Sequence, residues 1–264
     1  MIALAVSLAM GLATALAPGA PPLEPVPPDS AVDVVERLNE SVPLGLHFTD
    51  SNGHDVQLKD RLHGRPVILA MVYYRCPVLC GLLLKGLANA LSGLDWKLGV
   101  EYDVVTVSLD PSETPALAAE KRRGYLQALG LPGSDAWAFL TGHVDDIDTL
   151  CDAIGMRYTY LASQRQFAHV AALFVLTPEG RISRYLYGVE FDPRQVKLAL
   201  FEAAGGKVGT SFERVILRCY RYDSKSKKYE MFIARYFRAG GLVILLLVGG
   251  LLFALWRREL RGHA

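Results

Sequence analysis

The segment from Pro66 to Leu94, PVILAMVYYRCPVLCGLLLKGLANALSGL, constrains this chain more than any other. A run of apolar and β-branched residues (Val67, Ile68, Leu69, Met71, Val72, Tyr73) delivers the backbone to Cys76, and a helix-period segment beginning near Val78 carries it away. Two thiols therefore stand at a strand-to-helix turn. If the second half winds as a helix, Cys76 and Cys80 lie about one turn apart on one face, which suits either a disulfide or a shared metal ion. A helix N-terminus stabilises negative charge, so the turn favours thiolate over thiol, the form that both reactions need. Two plain core cysteines would not require such tight spacing at such a turn.

With 264 residues, 51% of them hydrophobic, the chain can bury one substantial core and a smaller appendage. The net charge of +1, with acids and bases interspersed, gives no reason to expect a nucleic acid or a strongly acidic partner. Four cysteines (Cys76, Cys80, Cys151 and Cys219) are too few for a disulfide scaffold at this size. They suggest one working pair and two others.

Both ends point to a membrane. Residues 1–20, MIALAVSLAMGLATALAPGA, read as an export signal or N-terminal anchor, with Ala15 and Ala17 in the pattern a signal peptidase reads. From Ala239 to Trp256 the chain runs AGGLVILLLVGGLLFALW without a charge, flanked by Arg235 and Arg238 before it and by Arg257, Arg258 and Arg261 after it. That length suits a bilayer core and predicts a transmembrane helix, with Trp256 at an interface. The export signal then puts the globular part in the periplasm, where a thiol pair can be oxidised, and leaves residues 257–264 as a cytoplasmic tail.

Residues 21–45 begin with PPLEPVPPDS and read as a proline-rich tether, with a short helical lead-in from Asp33 to Leu38. Leu46 to Asp60 alternates apolar and polar residues around Asp50-Ser51-Asn52-Gly53 and reads as a hairpin. After the cysteine turn and its helix, Asp103 to Leu109 reads as a buried strand. Thr114 to Leu129 follows as a helix with Thr114 as N-cap and Pro115 at its first position. A strand at Trp137 to Leu140, a helix from about Val144 to Ile154 and a short extended piece at Arg157 to Tyr160 come next. Strands Ala171 to Thr177 and Arg181 to Tyr187 are joined by the tight turn Pro178-Glu179-Gly180, and a helix from Pro193 is stopped by Gly205-Gly206. Strands separated by helical crossovers imply a parallel core, and the final hairpin adds an antiparallel edge. The expected class is therefore α/β: a central mixed sheet covered by helices over residues 46–206, arranged in the thioredoxin-like manner. The cysteine turn lies at the carboxyl end of a core strand, where open α/β sheets place their sites. Residues 207–238 lie beyond this unit and read as a basic hairpin around Asp223 to Lys228 leading into the membrane.

Three residues (Pro77, Val78 and Leu79) separate the cysteines, one more than in the usual thioredoxin-type redox pair. The extra residue rotates the second sulfur. Soft thiolates suit Cu(I), with an imidazole as the expected third ligand. Of six histidines, His47, His54 and His63 sit in or beside upstream turns, His143 opens a helix and His263 is in the tail. His169 differs, because it stands just before the strand that begins at Ala171, at the loop that packs against the cysteine turn in such a fold.

CPVLC after an apolar strand, VSLDPSETP after the next strand, and a histidine nine residues before PEG together resemble the Sco/SenC family over roughly Leu46 to Ala204. That resemblance implies a membrane-tethered, thioredoxin-like copper protein that helps assemble the dinuclear copper site of cytochrome c oxidase. It implies Cys76, Cys80 and His169 as copper ligands, a redox disulfide between Cys76 and Cys80, and Asp110 of the SLDP segment as a supporting residue near the site. The implied partners are the copper-site subunit of the oxidase, another periplasmic copper carrier or thiol reductant, and the membrane. The familiar anchor of the family is N-terminal, whereas the clear span here is C-terminal. Two rival classes share the same thiols: a periplasmic thiol-disulfide oxidoreductase, and a copper or redox sensor. Cys151, in the pattern Ile147, Leu150, Cys151, Ile154, reads as a small core hydrophobe. Cys219 reads as a buried strand residue, and the nearby tyrosines as an interfacial belt.

Overall fold

A computed structural model describes residues 32–77, 79–162, 165–205, 220–223 and 228–231, together with residues 245, 248 and 249. Strands β1 (Asp33–Val34), β2 (His47–Asp50), β3 (Asp55–Gln57) and β4 (Val67–Val72) lead to helix α1 (Leu79–Ser92). Then come β5 (Asp103–Ser108), α2 (Pro115–Ala128), β6 (Trp137–Gly142), α3 (Val144–Ala153), β7 (Met156–Leu161), β8 (Gln166–His169), β9 (Ala172–Leu176), β10 (Ile182–Tyr187) and α4 (Pro193–Ala203). A separate hairpin follows, β11 (Tyr220–Asp223) and β12 (Lys228–Met231).

Seven strands form one mixed sheet in the order β10-β9-β4-β5-β6-β2-β3. Its centre is parallel, β4 with β5 and β5 with β6, because helices α1 and α2 supply the crossovers. Every residue of β4 and of β5 is buried, so both faces of the centre are covered; this is why those strands read as unbroken apolar runs. The β9–β10 hairpin adds the antiparallel edge expected on one side, and β2–β3 adds a second on the other, where β2 pairs with β6.

Local chemistry explains the helix starts. The side chain of Thr114 accepts the Leu117 N–H at the head of α2, and Asp192 accepts the Arg194 N–H at the head of α4. Each cap is followed by proline at the first helical position, where its missing N–H costs nothing. Gly205, at φ +63°, ends α4 in the left-handed conformation that a side chain resists. Cys151 faces the core at 1% exposure, as its helical period predicted.

Two expectations change. Asp33 to Leu38 is not helical: β1 pairs with β7, joining Val34 to Met156, and the Val35 N–H donates to the Gly155 carbonyl. Six residues cannot sustain an isolated helix, and a partner over a hundred residues away decides the conformation. The tether is also shorter than 21–45. Asn39 and Val42 donate backbone hydrogen bonds to Ile182 and Gly180, and Val34 and Val42 are buried, so the packed domain includes this segment. The extended piece expected at 157–160 is present as β7, which pairs with β8 in a hairpin and gives a second sheet of order β1-β7-β8.

The expected export segment, Cys219, most of the expected span 239–256, and the tail 257–264 with His263 lie outside the described residues. Among the described residues, no helix is long and apolar enough to cross a membrane.

Candidate metal centre

The site is built where β4 ends. The Cys76 N–H donates to the Tyr73 carbonyl, closing a tight turn, and α1 begins at Leu79. Cys76 Sγ then accepts the Cys80 N–H at 3.3 Å, standing where a capping oxygen would satisfy one of the free amides of the first helical turn. The two thiols adjoin each other, and neither is in a disulfide. They differ in access: Cys76 is partly exposed and Cys80 is buried.

The third member arrives from the β7–β8 hairpin. His169 is the last residue of β8, and its Nε2 lies 3.3 Å from Cys80 Sγ. Its Nδ1 lies 3.0 Å from the Val170 carbonyl, which can only accept, so Nδ1 carries the proton and Nε2 presents a lone pair toward the sulfurs. Burial pushes the imidazole below its ordinary value, against a smaller opposing effect of the Val170 carbonyl, and so keeps it neutral. Burial also pushes the Cys80 thiol well above its ordinary range. The expectation that the helix N-terminus favours thiolate therefore fails at Cys80, because desolvation of a buried charge outweighs a dipole acting from the first turn.

Tyr73 joins the two halves. Its hydroxyl is hydrogen-bonded with Cys76 and with the backbone of Phe167, and its ring stands edge-on to Phe167 (5.5 Å) and His169 (6.5 Å). Tyr74, its neighbour, points the other way, and its buried hydroxyl donates to the Leu140 carbonyl at 2.8 Å. Just past the end of β4, one tyrosine thus serves the site and the other the core.

Asp110 reaches the turn indirectly. Its carboxylate accepts the Ser112 N–H at 2.8 Å and lies 3.7 Å from Nη1 of Arg75, the residue before Cys76. The remaining described histidines are elsewhere. His47 pairs with Asp55, His54 with Asp50 and His63 with Asp103, while His143 stands at the residue before α3 without a side-chain cap bond. Sequence reasoning missed Tyr73, hidden in the apolar run, and Glu113, hidden beside the Thr114 cap.

Among the described residues, no three His, Cys, Asp or Glu side chains form a ready-made metal cage. Cys76, Cys80 and His169 instead lie as a chain, thiol to thiol to imidazole. Two sulfurs and a neutral, lone-pair-bearing imidazole nitrogen nevertheless form a donor set chemically suited to a soft cation such as Cu(I).

A mixed sheet with a parallel centre, helical crossovers and a two-thiol turn at the end of a central strand, β4, defines a thioredoxin-like protein with a thiol-imidazole site. Residues 38–204 match the SCO1/SenC family model, and the chain belongs to that family. A protein of Aquifex aeolicus VF5, provisionally described as an electron transfer protein, is 31% identical, with a TM-score of 0.57 over 64% of this chain and 95% of that one. The fold is shared with Arabidopsis thaliana ScoI, solved with copper bound (20% identity, TM-score 0.50, 62% and 99% covered). It is also shared with BsSco, a member of the Sco family of cytochrome c oxidase assembly proteins for which a disulfide switch was identified (19%, 0.50, 67% and 98%). No curated protein matches the chain.

Proposed function

We propose that this protein is a membrane-anchored periplasmic carrier that holds copper as cargo between Cys76, Cys80 and His169 and delivers it to the copper-site subunit of cytochrome c oxidase. The observation that carries the reading is the 3.3 Å approach of His169 Nε2 to Cys80 Sγ, with Nδ1 engaged by the Val170 carbonyl. A histidine that merely packed would not need its free nitrogen aimed at a thiol. Copper bound to ScoI of the same fold supports the choice of metal. Asp110 acts in support, steadying Arg75 beside Cys76.

Each residue has a distinct task in transfer. Cys76, the more exposed thiol, is placed to meet an acceptor's sulfur first. Cys80 and His169 retain the ion from below while ligands exchange. Both thiols must lose their protons on loading, so copper affinity falls as pH drops.

The same thiols can instead close a disulfide, which releases two electrons and two protons to an oxidant and leaves no thiolate for a metal. The expected result is that the oxidised domain takes up no copper, that reduction restores loading, and that Cys151→Ser leaves both states unchanged. Full loading of the disulfide form would rule out a shared site. A second reading, a thiol-disulfide oxidoreductase, is favoured by the contrast between an accessible Cys76 and a buried Cys80, the pattern of an attacking and a resolving thiol. That reading expects thiol exchange at full rate without copper and without His169.

The export segment and the charge-free run at 239–256 support a single C-terminal span with the domain outside the cytoplasm. A reporter active only in the periplasm is expected to work when fused after Gly206 and to fail when fused after Ala264. The reverse pattern would overturn the orientation.

A further inference from the structure

Glu113 is 5% exposed, and three donors converge on its carboxylate. Oε2 accepts the Tyr74 N–H at 2.7 Å and the Ser108 hydroxyl at 2.6 Å, while Oε1 accepts the Arg75 N–H at 2.7 Å. Tyr74 and Arg75 are the two residues immediately before Cys76, at the point where β4 has ended and no strand partner is left to hold their amides. Ser108 is the last residue of β5, next to β4 in the parallel pair, and Glu113 itself precedes the cap of α2. One side chain thus ties the end of β5, the head of α2 and the backbone leading into the first thiol.

Burying a carboxylate is costly unless donors replace the lost water, and here two of the three donors are backbone amides of the thiol turn. An amide side chain would not serve: it carries an NH₂ where one carboxylate oxygen stood, and that group would face a donor. The requirement is therefore for an acceptor at both positions, beyond the filling of space.

We propose that Glu113 is the positioning residue of the thiol turn, holding the backbone before Cys76 in place so that the sulfur can exchange its bonding partners without the turn collapsing. This rests on the reading that Cys76 and Cys80 are the working pair, but not on copper being the cargo. The constraint also holds the two sulfurs at high effective concentration, so it bears on the disulfide as well as on metal binding.

The test compares wild type with Glu113→Gln, Ser108→Ala and Asp103→Asn. Asp103 is an equally buried carboxylate at the opposite end of β5, bound to Arg65 and His63, and serves as the control for general loss of stability. Glu113→Gln is expected to speed hydrogen exchange at the Tyr74 and Arg75 amides by at least about tenfold and to weaken Cu(I) binding by about 10- to 100-fold. It should also make the Cys76–Cys80 disulfide about tenfold easier to reduce at equilibrium, a rise of about 30 mV. Ser108→Ala should move all three readouts the same way by less, and it carries the test if the Gln variant does not fold. Asp103→Asn should lower the unfolding temperature and leave the disulfide equilibrium unchanged. Values for Glu113→Gln within twofold of wild type, or equal shifts in Asp103→Asn, would overturn the proposal. Wild-type protein that binds no copper, together with the disulfide shift in Glu113→Gln, would instead refute the copper reading and leave Glu113 in its role.

Discussion

His169→Ala is expected to lower copper affinity by at least about 100-fold, equivalent to about 2.7 kcal/mol, because on the proposed reading it removes one of three donors and exposes the thiols beneath it to water. A competition titration against a Cu(I) chelator reads this directly, and retention of wild-type affinity would show that the imidazole is no ligand. The same variant carries a second signature in the metal-free domain. Burial depresses the folded-state value of His169 below the 6.5 of a free imidazole, so below about that pH the unfolded chain binds a proton that the folded chain refuses. Stability contributed by neutral His169 is thus present above pH 6.5 and lost as pH falls toward the folded value. Wild type should lose stability through that window, and His169→Ala should lose less. Equal acid slopes in the two proteins would mean that the ring is not buried as described. Asp50 also steepens the acid limb, since two backbone amides and Arg61 hold its carboxyl below its ordinary value despite burial, but at lower pH and equally in both proteins.

Gly155→Ala is expected to be the most damaging single methyl group in the domain. Gly155 turns the chain from α3 into β7 at φ +68°, and a Cβ there would lie 1.9 Å from the Val35 carbonyl oxygen, a backbone atom that cannot swing aside. A left-handed alanine costs about 1–2 kcal/mol, and the clash adds about 1–3 kcal/mol as the strands separate. The melting temperature should fall by on the order of 10 °C. Gly130→Ala is the comparison, since Gly130 has nearly the same φ, +70°, with open space around it, and should show only the conformational cost. If the two variants melt together, the contact with Val35 is not a constraint. The consequence reaches the metal centre, because β1, β7 and β8 form one sheet and β8 ends in His169. Loosening β1 from β7 should therefore weaken copper binding as well as stability.

Much of this molecule was legible in its residues, because the relevant signals are local. Buried parallel strands must be apolar on both faces, so β4 and β5 announce themselves as unbroken β-branched runs. Thr114-Pro115 marks a helix start because an N-cap oxygen and a proline act within a single turn. Cys76 and Cys80 sit four apart at a strand-to-helix junction, and that spacing by itself placed both thiols at one turn. The short strands β1 and β8 were not legible, since two and four residues hold their form only through pairing with β7. The thiolate preference expected at Cys80 was reversed for a related reason: the dipole of a helix end can be read from sequence, whereas the depth of burial that opposes it cannot.

The sequence by itself determined the class of fold, the thiol pair at its turn, and His169 as the histidine to look for beside them. Only the tertiary structure decided how His169 meets Cys80 across 89 positions of chain, with Val170 fixing which nitrogen faces the sulfur. It alone showed Tyr73 joining Cys76 to β8, and Glu113 holding the amides of Tyr74 and Arg75 from 38 or 39 residues away. The physical reason is that periodicity and capping depend on neighbours within one turn or one pleat. Hydrogen bonds between segments depend on where the sheet and its crossovers bring distant backbone together, and no single stretch of chain carries that information.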